Sequence, residues 1–304
     1  MTHITEHKRI HLIGIGGCSM SGLASILKNR GYYVQGSDRA ESPFTERLKE
    51  QGVPVFIGHD AKNIGDCDLI IFSAAIKSDN IERAEAKRRG IPELERSEAL
   101  GQLTEGYESV VGIAGCHGKT TITSMLALIC ERGGPDATVH IGGFVDFLNG
   151  GVRLGAHDMF ITEACEYVES FLTLRPTIAL INNIDNDHLD YYGDMEHIVA
   201  AFKKFAALLP ENGLLIGNTD DFRVRALMAE HTGRKLSYGM KDADYTPANI
   251  TYDDNGCPGF DIMFRGEKLM HIQLRIPGEH SVMNAIAAAA VAREIGADYY
   301  ARDA

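Results

Sequence analysis

Apolar runs and amphipathic stretches alternate along the first hundred residues. The segment "RIHLIGIGG" (9–17) is a short apolar run that ends in glycines, which is typical of a buried strand followed by a tight turn. The segment after it, "SMSGLASILKNRG" (19–31), has helical spacing and is closed by a glycine. The alternation continues with strand-like "YYVQGSD" (32–38), "VPVFIGH" (53–59) and "CDLIIFSAAI" (67–76), and with helical "SPFTERLKEQG" (42–52) and "NIERAEAKRRG" (80–90). This order predicts βαβ units and a parallel sheet.

A second alternating region begins at "SVVGIAG" (109–115). Before it, "PELERSEALGQLTEG" (92–106) predicts a helix and a linker that lead out of the first sheet. A helix is expected from Thr120 to about Arg132. The later segments repeat both patterns: strands "MFITEA" (159–164), "TIALINNI" (177–184) and "GLLIGN" (213–218), helices "HIVAAFKKFAALLP" (197–210) and "SVMNAIAAAAVAREIG" (281–296), and short β-like pieces between residues 235 and 275.

Bulk properties agree with two domains, for which we predict residues 1–103 and 104–304. The chain has 304 residues, of which 44% are hydrophobic and 24% charged, as in globular proteins. The net charge of −12 argues against nucleic acid or an anionic membrane as the main partner, but helix N-termini can still bind small anions. The six cysteines form no C-x-x-C pair, and neither a signal segment nor a long apolar span is present. We therefore expect a cytoplasmic protein with reduced thiols.

The first candidate loop is "GIGGCSMSG" (14–22), which follows a strand and opens a helix. This is the setting in which a pyrophosphate binds at a helix N-terminus. The spacing departs from G-x-G-x-x-G, because Ser19 stands where the third glycine belongs, while Asp38 ends the second strand where a ribose-binding acid would lie. A NAD-dependent dehydrogenase, a protein that binds another nucleotide diphosphate, and a plain tight turn remain alternatives.

The second candidate loop is "GCHGKTT" (115–121), between an apolar strand and a helix. Its glycines allow backbone N–H groups to close around phosphate oxygens, Lys119 adds a charge, and Thr120 can offer its hydroxyl to Mg²⁺. The phosphate-loop pattern G-x-x-x-x-G-K-[ST] requires a further glycine, at a position that Ile113 occupies. A phosphate-binding loop is the favoured interpretation, and a glycine-rich turn with a chance lysine is the alternative.

Two further polar residues follow strand ends in the second region. Glu163 lies at the end of "MFITE", where an acid can reach the metal of a nucleotide, and His188 follows the strand "TIALINNI". The carboxyl ends of parallel strands line the ligand crevice of an open sheet, so both could converge with the loop. A solvated acid and a loop histidine satisfied by Asp187 or Asp190 are the structural alternatives.

Four motifs in this order resemble the Mur ligase family: "GCHGKTTITSM" (115–125), "EACEYVESFL" (163–172), "NNIDNDHLDYYGD" (182–194) and "GEHSVMNAIAAAA" (278–290). The N-terminal "HLIGIGGCSMSGLA", "GSD" and "SAAI" are similar to the branch that joins L-alanine to UDP-N-acetylmuramate. The resemblance covers nearly the whole chain. It implies a Rossmann-like UDP-substrate domain, then a P-loop ATPase α/β domain with a small β appendage. The family loop reads G-x-x-G-K-T-T, so Ile113 is no defect.

The resemblance also implies residue roles. Lys119 would contact the β- and γ-phosphates of ATP. Thr120 and Glu163 would hold a first Mg²⁺, and His188 a second beside the sugar carboxylate, so that Lys119, Glu163 and His188 form the implied catalytic set. The implied ATP-binding residues are Gly115, Cys116, His117, Gly118, Lys119, Thr120, Thr121, His280 and Asn284. The implied UDP-substrate residues are Gly14, Gly16, Gly17, Ser19, Met20 and Ser21, bordered by Asp38 and Ser73.

Three departures from the family pattern stand out. Cys165 occupies a position where many relatives have Asp, which predicts that one acid of the site is missing. Lys203 could be the carbamylated lysine of some sister ligases, although Lys203 and Lys204 are better interpreted as solvated charges on an amphipathic helix. The family has a third domain that brings the amino acid, and the chain ends at "ADYYARDA" soon after the last predicted helix.

The implied function is ATP-dependent ligation of L-alanine to UDP-N-acetylmuramate through an acyl phosphate. The 304-residue chain is expected to fold and to bind ligands, but not to catalyse ligation alone. A recycling ligase that attaches a preformed peptide to the same sugar nucleotide, and a non-catalytic fragment that binds the nucleotide or the UDP-sugar, remain alternatives.

Overall fold

A computed structural model describes residues 2–156 and 158–297. The chain forms two compact units: the described residues of Met1–Tyr107 with Thr138–Leu154, and those of Glu108–Ala137 with Gly155–Ala304. The segment Thr138–Leu154 thus groups with the first unit, although it follows the start of the second along the chain. No disulfide joins any of the six cysteines, all of which lie in the described ranges. Within those ranges, no helix is both long and apolar enough to cross a membrane.

The strands and helices are numbered here in chain order. The strands are β1 Arg9–Ile13, β2 Tyr33–Asp38, β3 Val55–Ile57, β4 Leu69–Phe72, β5 Glu93–Glu95, β6 Ser109–Ala114, β7 Thr138–Val145, β8 Gly150–Arg153, β9 Met159–Ala164, β10 Ile178–Ile181, β11 Leu214–Asn218, β12 Arg234–Tyr238, β13 Tyr245–Tyr252, β14 Pro258–Phe264 and β15 Glu267–Gln273. The helices are α1 Cys18–Asn29, α2 Pro43–Glu50, α3 Ile81–Arg89, α4 Arg96–Thr104, α5 Lys119–Glu131, α6 Leu189–Tyr192, α7 Met195–Ala206, α8 Phe222–Glu230 and α9 Glu279–Glu294.

The first unit contains a parallel five-stranded sheet in the order β3-β2-β1-β4-β5. Its central strand β1 is buried on both faces, with Ile10, Leu12 and Ile13 fully buried, as expected when helices cover a parallel sheet. The strand order reverses beside β1, so the carboxyl ends of β1, β2 and β4 lie at one edge. This arrangement confirms the predicted Rossmann-like fold and is the one in which ligands bind at such an edge.

A buried polar network lies behind this edge. The Glu82 carboxylate on α3 is fully buried and accepts hydrogen bonds from Ser37 Oγ at 2.5 Å and from Asn63 Nδ2 at 2.7 Å. His11 on β1, also fully buried, lies with Nε2 3.3 Å from the same carboxylate. Burial alone would raise the pKa of the Glu82 carboxyl, but these hydrogen bonds outweigh it and lower the pKa to about 2. The network therefore holds a buried anion between β1, β2 and α3.

The second unit contains eight strands in the order β15-β14-β13-β12-β11-β10-β6-β9. Strands β9, β6, β10, β11 and β12 are parallel, and β13, β14 and β15 form an antiparallel appendage. Helices α5 and α9 pack against each other, and eleven of the sixteen residues of α9 are buried. This unit confirms the predicted P-loop ATPase α/β fold with a small β appendage.

Several local predictions differ from the structure. Strand β4 ends at Phe72, because Ser73 begins a turn in which Ile76 N donates to Ser73 O at 2.9 Å. The segment 92–106 is not only helix and linker, since Glu93–Glu95 pair with β4 as an edge strand before α4 starts. Helix α8 and the hairpin β7–β8 were not predicted, whereas β12 lies in the region 235–275 for which short β-like pieces were expected. The final residues 298–304, within the "ADYYARDA" ending, lie outside the described residues.

Candidate functional site

Helix capping separates the candidate sites from the rest of the described chain. Five helices have a side chain that accepts a hydrogen bond from their first turn: α2, α3, α4, α7 and α8, capped by Ser42, Asn80, Glu95, Asp194 and Asp221. The other four, α1, α5, α6 and α9, have none, and each begins at a segment with predicted site residues. Because the first N–H groups of a helix have no partner within it, α1 and α5 present donors beside their glycine loops.

The loop that starts at Gly14 is held in place by hydrogen bonds to the end of β2. Gly14, with φ of 82°, and Ile15 both donate their N–H groups to Ser37 O, at 2.8 and 3.0 Å. Gly16 N donates to Asp38 Oδ2 at 2.8 Å, and a Cβ on Gly16 would lie 2.9 Å from this oxygen. Asp38 therefore fixes the loop, a role that the ribose-binding interpretation did not include. Asp38 thus lies at the glycine loop and contacts it through its carboxylate.

The other predicted residues of this loop differ in what they can offer a ligand. Gly17 is the N-terminal cap of α1, and the side chains of Met20 and Ser21 are buried, with the Ser21 hydroxyl donating to Cys18 O at 2.8 Å. Ser73 Oγ lies 3.2 Å from the place that a Cβ on Gly14 would occupy. Only Ser19 keeps a half-buried hydroxyl at the start of the helix. The loop therefore presents mainly backbone N–H groups, together with the Ser19 hydroxyl.

The second loop joins β6 to α5 in a conformation that requires glycine. Gly115 has a φ of 142° and Gly118 a φ of 85°. A Cβ on Gly118 would lie 2.5 Å from Asn182 Nδ2 and 2.7 Å from Asn284 Oδ1, so any side chain would collide with both amides. Asn284, predicted from the α9 motif, is thereby brought to the loop. His117 and Thr120 are exposed, which leaves the Thr120 hydroxyl accessible for a ligand.

Asparagine side chains after β10 fix the shape of this loop. Asn182 Nδ2 donates to His117 O at 2.9 Å, while its Oδ1 accepts from the buried Tyr238 hydroxyl at 2.7 Å. Asn183 Oδ1 accepts from His117 N at 2.8 Å. The Cys116 thiol donates to Asp185 O, which follows the same strand. Burial raises the pKa of this thiol to about 11, so Cys116 stays protonated and serves as a packing group. Neither asparagine was predicted as a site residue, although both stand in the motif "NNIDNDHLDYYGD" (182–194).

Lys119, the predicted phosphate-binding lysine, is paired with Glu166. Its Nζ lies 2.8 and 3.0 Å from the two carboxylate oxygens and also donates to Gly115 O. The Glu166 side chain is only 1% exposed and that of Lys119 15%, so the pair is largely withdrawn from water. Glu166 lies three residues after Glu163 and was not predicted as a site residue. It provides an acid next to Cys165, the position at which an acid of the site was expected to be missing.

Glu166 also joins a group of possible metal ligands. One ligand atom each of Glu166, Asp187 and His188 lies within 4.8 Å of the others, and Glu166 Oε1 is 3.7 Å from His188 Nε2. His188 caps α6 with a φ of 55°, and its ring lies 4.7 Å from that of Tyr167. Two carboxylates and an imidazole at the end of parallel strands suit a divalent cation such as Mg²⁺ or Mn²⁺. The predicted His188 is therefore part of a donor set that fits a metal.

Two predicted residues stand apart from this group. Glu163 lies on β9 opposite Ile113 of β6, half-buried, and it is not one of the three clustered ligands. His280 is exposed in the first turn of α9, and none of the hydrogen bonds found between described residues joins it to the loop. Lys203 forms a surface ion pair with Glu230 at 2.7 Å, in agreement with the interpretation of a solvated charge.

Comparison with known families covers both units. The "Mur ligase middle domain" profile matches residues 113–292, and the "Mur ligase family, catalytic domain" profile matches residues 9–108. The chain belongs to the Mur ligase family. Among Mur ligases, the UDP-N-acetylmuramate–L-alanine ligase of Alkaliphilus metalliredigens is 46% identical over 299 residues, which are 97% of this chain and 65% of the relative. The enzyme of the same name from Acetivibrio thermocellus is 44% identical over 293 residues, 96% of this chain and 62% of the relative.

Solved Mur ligase structures share the fold. The UDP-N-acetylmuramate:L-alanyl-gamma-D-glutamyl-meso-diaminopimelate ligase from Neisseria meningitides superposes with a TM-score of 0.84 at 27% identity, over 96% of this chain and 95% of that one. The UDP-N-acetylmuramate–alanine ligase from Thermotoga maritima has a TM-score of 0.82 at 28% identity, over 97% and 67%. The chain spans less than two thirds of the length of the two curated relatives named above.

Proposed function

We propose that this chain provides the UDP-sugar site and the ATP site of a ligase that joins L-alanine to UDP-N-acetylmuramate in peptidoglycan precursor synthesis. The observation that carries the proposal is the pair of glycine loops, each of which opens a helix without a side-chain cap in a separate compact unit. Two anion sites of different composition fit two different nucleotides. The proposed compartment is the cytoplasm, where thiols stay reduced.

The first loop would bind the diphosphate of the UDP-sugar. It offers N–H groups at the start of α1 and the Ser19 hydroxyl, which are donors suited to phosphate oxygens. NAD is the less favoured ligand, because Asp38 accepts a hydrogen bond from Gly16 N with one carboxylate oxygen and is committed to the loop. Gly14 and Ser73 would border the same site at the ends of β1 and β4.

The second loop would bind the phosphates of ATP. Lys119 would exchange part of its contact with Glu166 for the β- and γ-phosphates. Thr120 and Glu163 would hold one Mg²⁺, and the cluster of Glu166, Asp187 and His188 would hold a second. When bound, the metal would neutralise phosphate charge that otherwise repels the attacking carboxylate. The sugar carboxylate would then attack the γ-phosphate to give an acyl phosphate and ADP, and the amine of L-alanine would displace phosphate to form the amide. Lys119 would lower the charge of the transferred group throughout the first step.

Binding experiments test the two sites separately. Isothermal titration calorimetry should detect UDP-N-acetylmuramate and ATP·Mg on the 304-residue chain, and NAD should not bind. Micromolar NAD affinity without UDP-sugar binding would overturn the assignment of the first loop. Phosphate release that depends on L-alanine should be seen once the chain is joined to the third domain of a longer relative.

A recycling ligase is the second candidate function. The observation in its favour is the TM-score of 0.84 with the peptide ligase from Neisseria meningitides. Both candidates use the same sugar nucleotide and ATP, so the discriminating measurement is the choice of amine. Phosphate release by the extended protein should be faster with L-alanine than with L-alanyl-γ-D-glutamyl-meso-diaminopimelate. Preference for the tripeptide would select the recycling function instead.

A further inference from the structure

An arginine outside the predicted site reaches the first glycine loop. Arg96 is the first residue of α4, and its Nη1 lies 3.3 Å from Ser19 Oγ. Arg96 is half-buried, and Ser19 belongs to the first turn of α1, where N–H groups lack a side-chain cap. A guanidinium therefore donates to a hydroxyl in the helix turn that would hold a phosphate.

The charge of Arg96 is not neutralised by a neighbouring acid. No ion pair between Arg96 and a carboxylate occurs in the part of the chain that the structure describes, whereas Arg9 and Arg83 of the same unit pair at 2.8 and 3.0 Å. The adjacent Glu95 does not pair with Arg96 either: its Oε2 accepts from Ser97 N at 2.6 Å as the cap of α4, and its Oε1 is buried without a hydrogen-bond partner among the described residues. In a protein of net charge −12, a half-buried arginine without an acidic partner is available for an anionic ligand.

A buried histidine fixes the hydroxyl to which Arg96 points. His140 of β7 is 3% exposed, and its Nε2 lies 3.1 Å from Ser19 O and 3.2 Å from Ser19 Oγ. Burial lowers the pKa of His140 to about 4, with a contribution from the nearby charge of Arg96 and against the hydrogen bond with Ser19. The ring is neutral near pH 7, so the positive charge at this point of the loop comes from Arg96 alone among these three side chains.

We propose that Arg96 binds a phosphoryl oxygen of the nucleoside diphosphate at the start of α1. Its Nη1 keeps the contact with Ser19 Oγ, while another N–H group of the guanidinium donates to the phosphate. The inference rests on the proposed UDP-sugar site and adds to it a cation that the glycine motif does not contain. The planar guanidinium presents several N–H donors in a fixed fork, so it can bridge a hydroxyl and a phosphate at once. A lysine, with a single ammonium on a flexible stem, cannot maintain both contacts in the same geometry.

The test compares a ligand that has the diphosphate with one that lacks it. UDP binding is measured by calorimetry, and uridine binding by ligand-observed NMR at millimolar concentration. Arg96→Met should weaken UDP by roughly 10- to 100-fold, the usual effect of losing a charge-assisted hydrogen bond, and leave uridine unchanged. Arg96→Lys should weaken UDP by a few-fold with the same unfolding temperature as the wild type. Arg88→Met is the matched control, because Arg88 pairs with Glu85 on the exposed side of α3.

Each outcome decides one question. Equal losses for UDP and uridine in Arg96→Met would assign a structural role to Arg96 and overturn the inference. Unchanged UDP affinity would also overturn it, and if Arg96→Met does not fold, wild-type UDP affinity in Arg96→Lys would do so. If the unmodified chain binds neither UDP nor UDP-N-acetylmuramate, the proposed function of the first loop fails, and the inference fails with it. If the unmodified chain binds UDP and the Arg96 variants bind it equally well, the inference is rejected and the proposed function stands.

Discussion

Replacing Lys119 by Met should affect the stability of the protein and its affinity for ATP through two separable causes. The change leaves the Glu166 carboxylate, 1% exposed, without the ammonium that lies 2.8 and 3.0 Å from its oxygens. Removing one partner of a buried ion pair costs about 3–5 kcal/mol, and the 15% exposure of the Lys119 side chain favours the lower end. Loss of the lysine contact with phosphate should cost a further 1.5–3 kcal/mol of binding, or roughly 10- to 150-fold in Kd.

The double substitution Lys119→Met with Glu166→Gln separates the two effects. It removes the unpaired charge, so the free energy of unfolding in urea should recover, with a coupling energy of about 2 kcal/mol between the sites. The Kd for ATP·Mg, measured by calorimetry, should stay at least as weak as in Lys119→Met, because Glu166→Gln also removes a proposed metal ligand. Lys204→Met serves as control, because Lys204 pairs with Glu169 at the surface and its side chain is 59% exposed.

Two results would refute this reasoning. A coupling energy near zero would show that the pair of Lys119 and Glu166 does not stabilise the loop. Recovery of ATP affinity in the double variant would show that the single variant lost binding because the loop was disordered, and not because a phosphate contact was missing. Unchanged ATP affinity in Lys119→Met would show that the second loop is a plain turn.

Three further predictions concern the loop, the metal and acid stability. Gly118→Ala should destabilise the protein and abolish ATP·Mg binding in calorimetry, since its Cβ would lie 2.5 Å from Asn182 Nδ2 at a φ of 85°; wild-type affinity would contradict this. Glu163→Gln should weaken the Mg²⁺ dependence of ATP binding. His188→Ala should spare ATP binding and impair phosphorylation of the sugar carboxylate in the extended protein. If both variants affect ATP binding and phosphorylation equally, the two residues do not have separate roles. Glu82, whose folded pKa of about 2 lies below its usual 4.5, should contribute about 3 kcal/mol that is complete above pH 4.5 and lost as the pH falls toward 2. Urea unfolding of Glu82→Gln should therefore show a flatter acid limb, and an unchanged limb would place the acid sensitivity elsewhere.

The periodic parts of the fold could be predicted from the sequence, and the contacts between distant segments could not. Strand β1 and helix α5 follow local patterns of hydrophobicity and glycine, which determine their type and place. Edge strand β5 is only three residues long and forms because β4 lies beside it, so no local sequence pattern predicts it.

The site shows the same division. The glycines and Lys119 stand in one short motif and were predicted. Glu166 was missed because Glu163, three residues earlier, fitted the motif, and only the folded chain shows which of the two carboxylates reaches Lys119. Arg96 was missed because 77 residues separate it from Ser19, and no spacing rule joins a helix start to a loop at that distance.

The missing caps of α1 and α5 have a thermodynamic consequence. Where Ser42 or Asp194 closes the first turn of a helix, that turn is complete in the protein by itself. At Gly17 and Gly118 no side chain does so, and an anionic ligand would complete the turn instead. A ligand that binds only the native state raises the free energy of unfolding with the logarithm of its concentration over Kd. Amide hydrogen exchange in the first turns of α1 and α5 should therefore slow only when the matching nucleotide is present, which gives each site its own reporter.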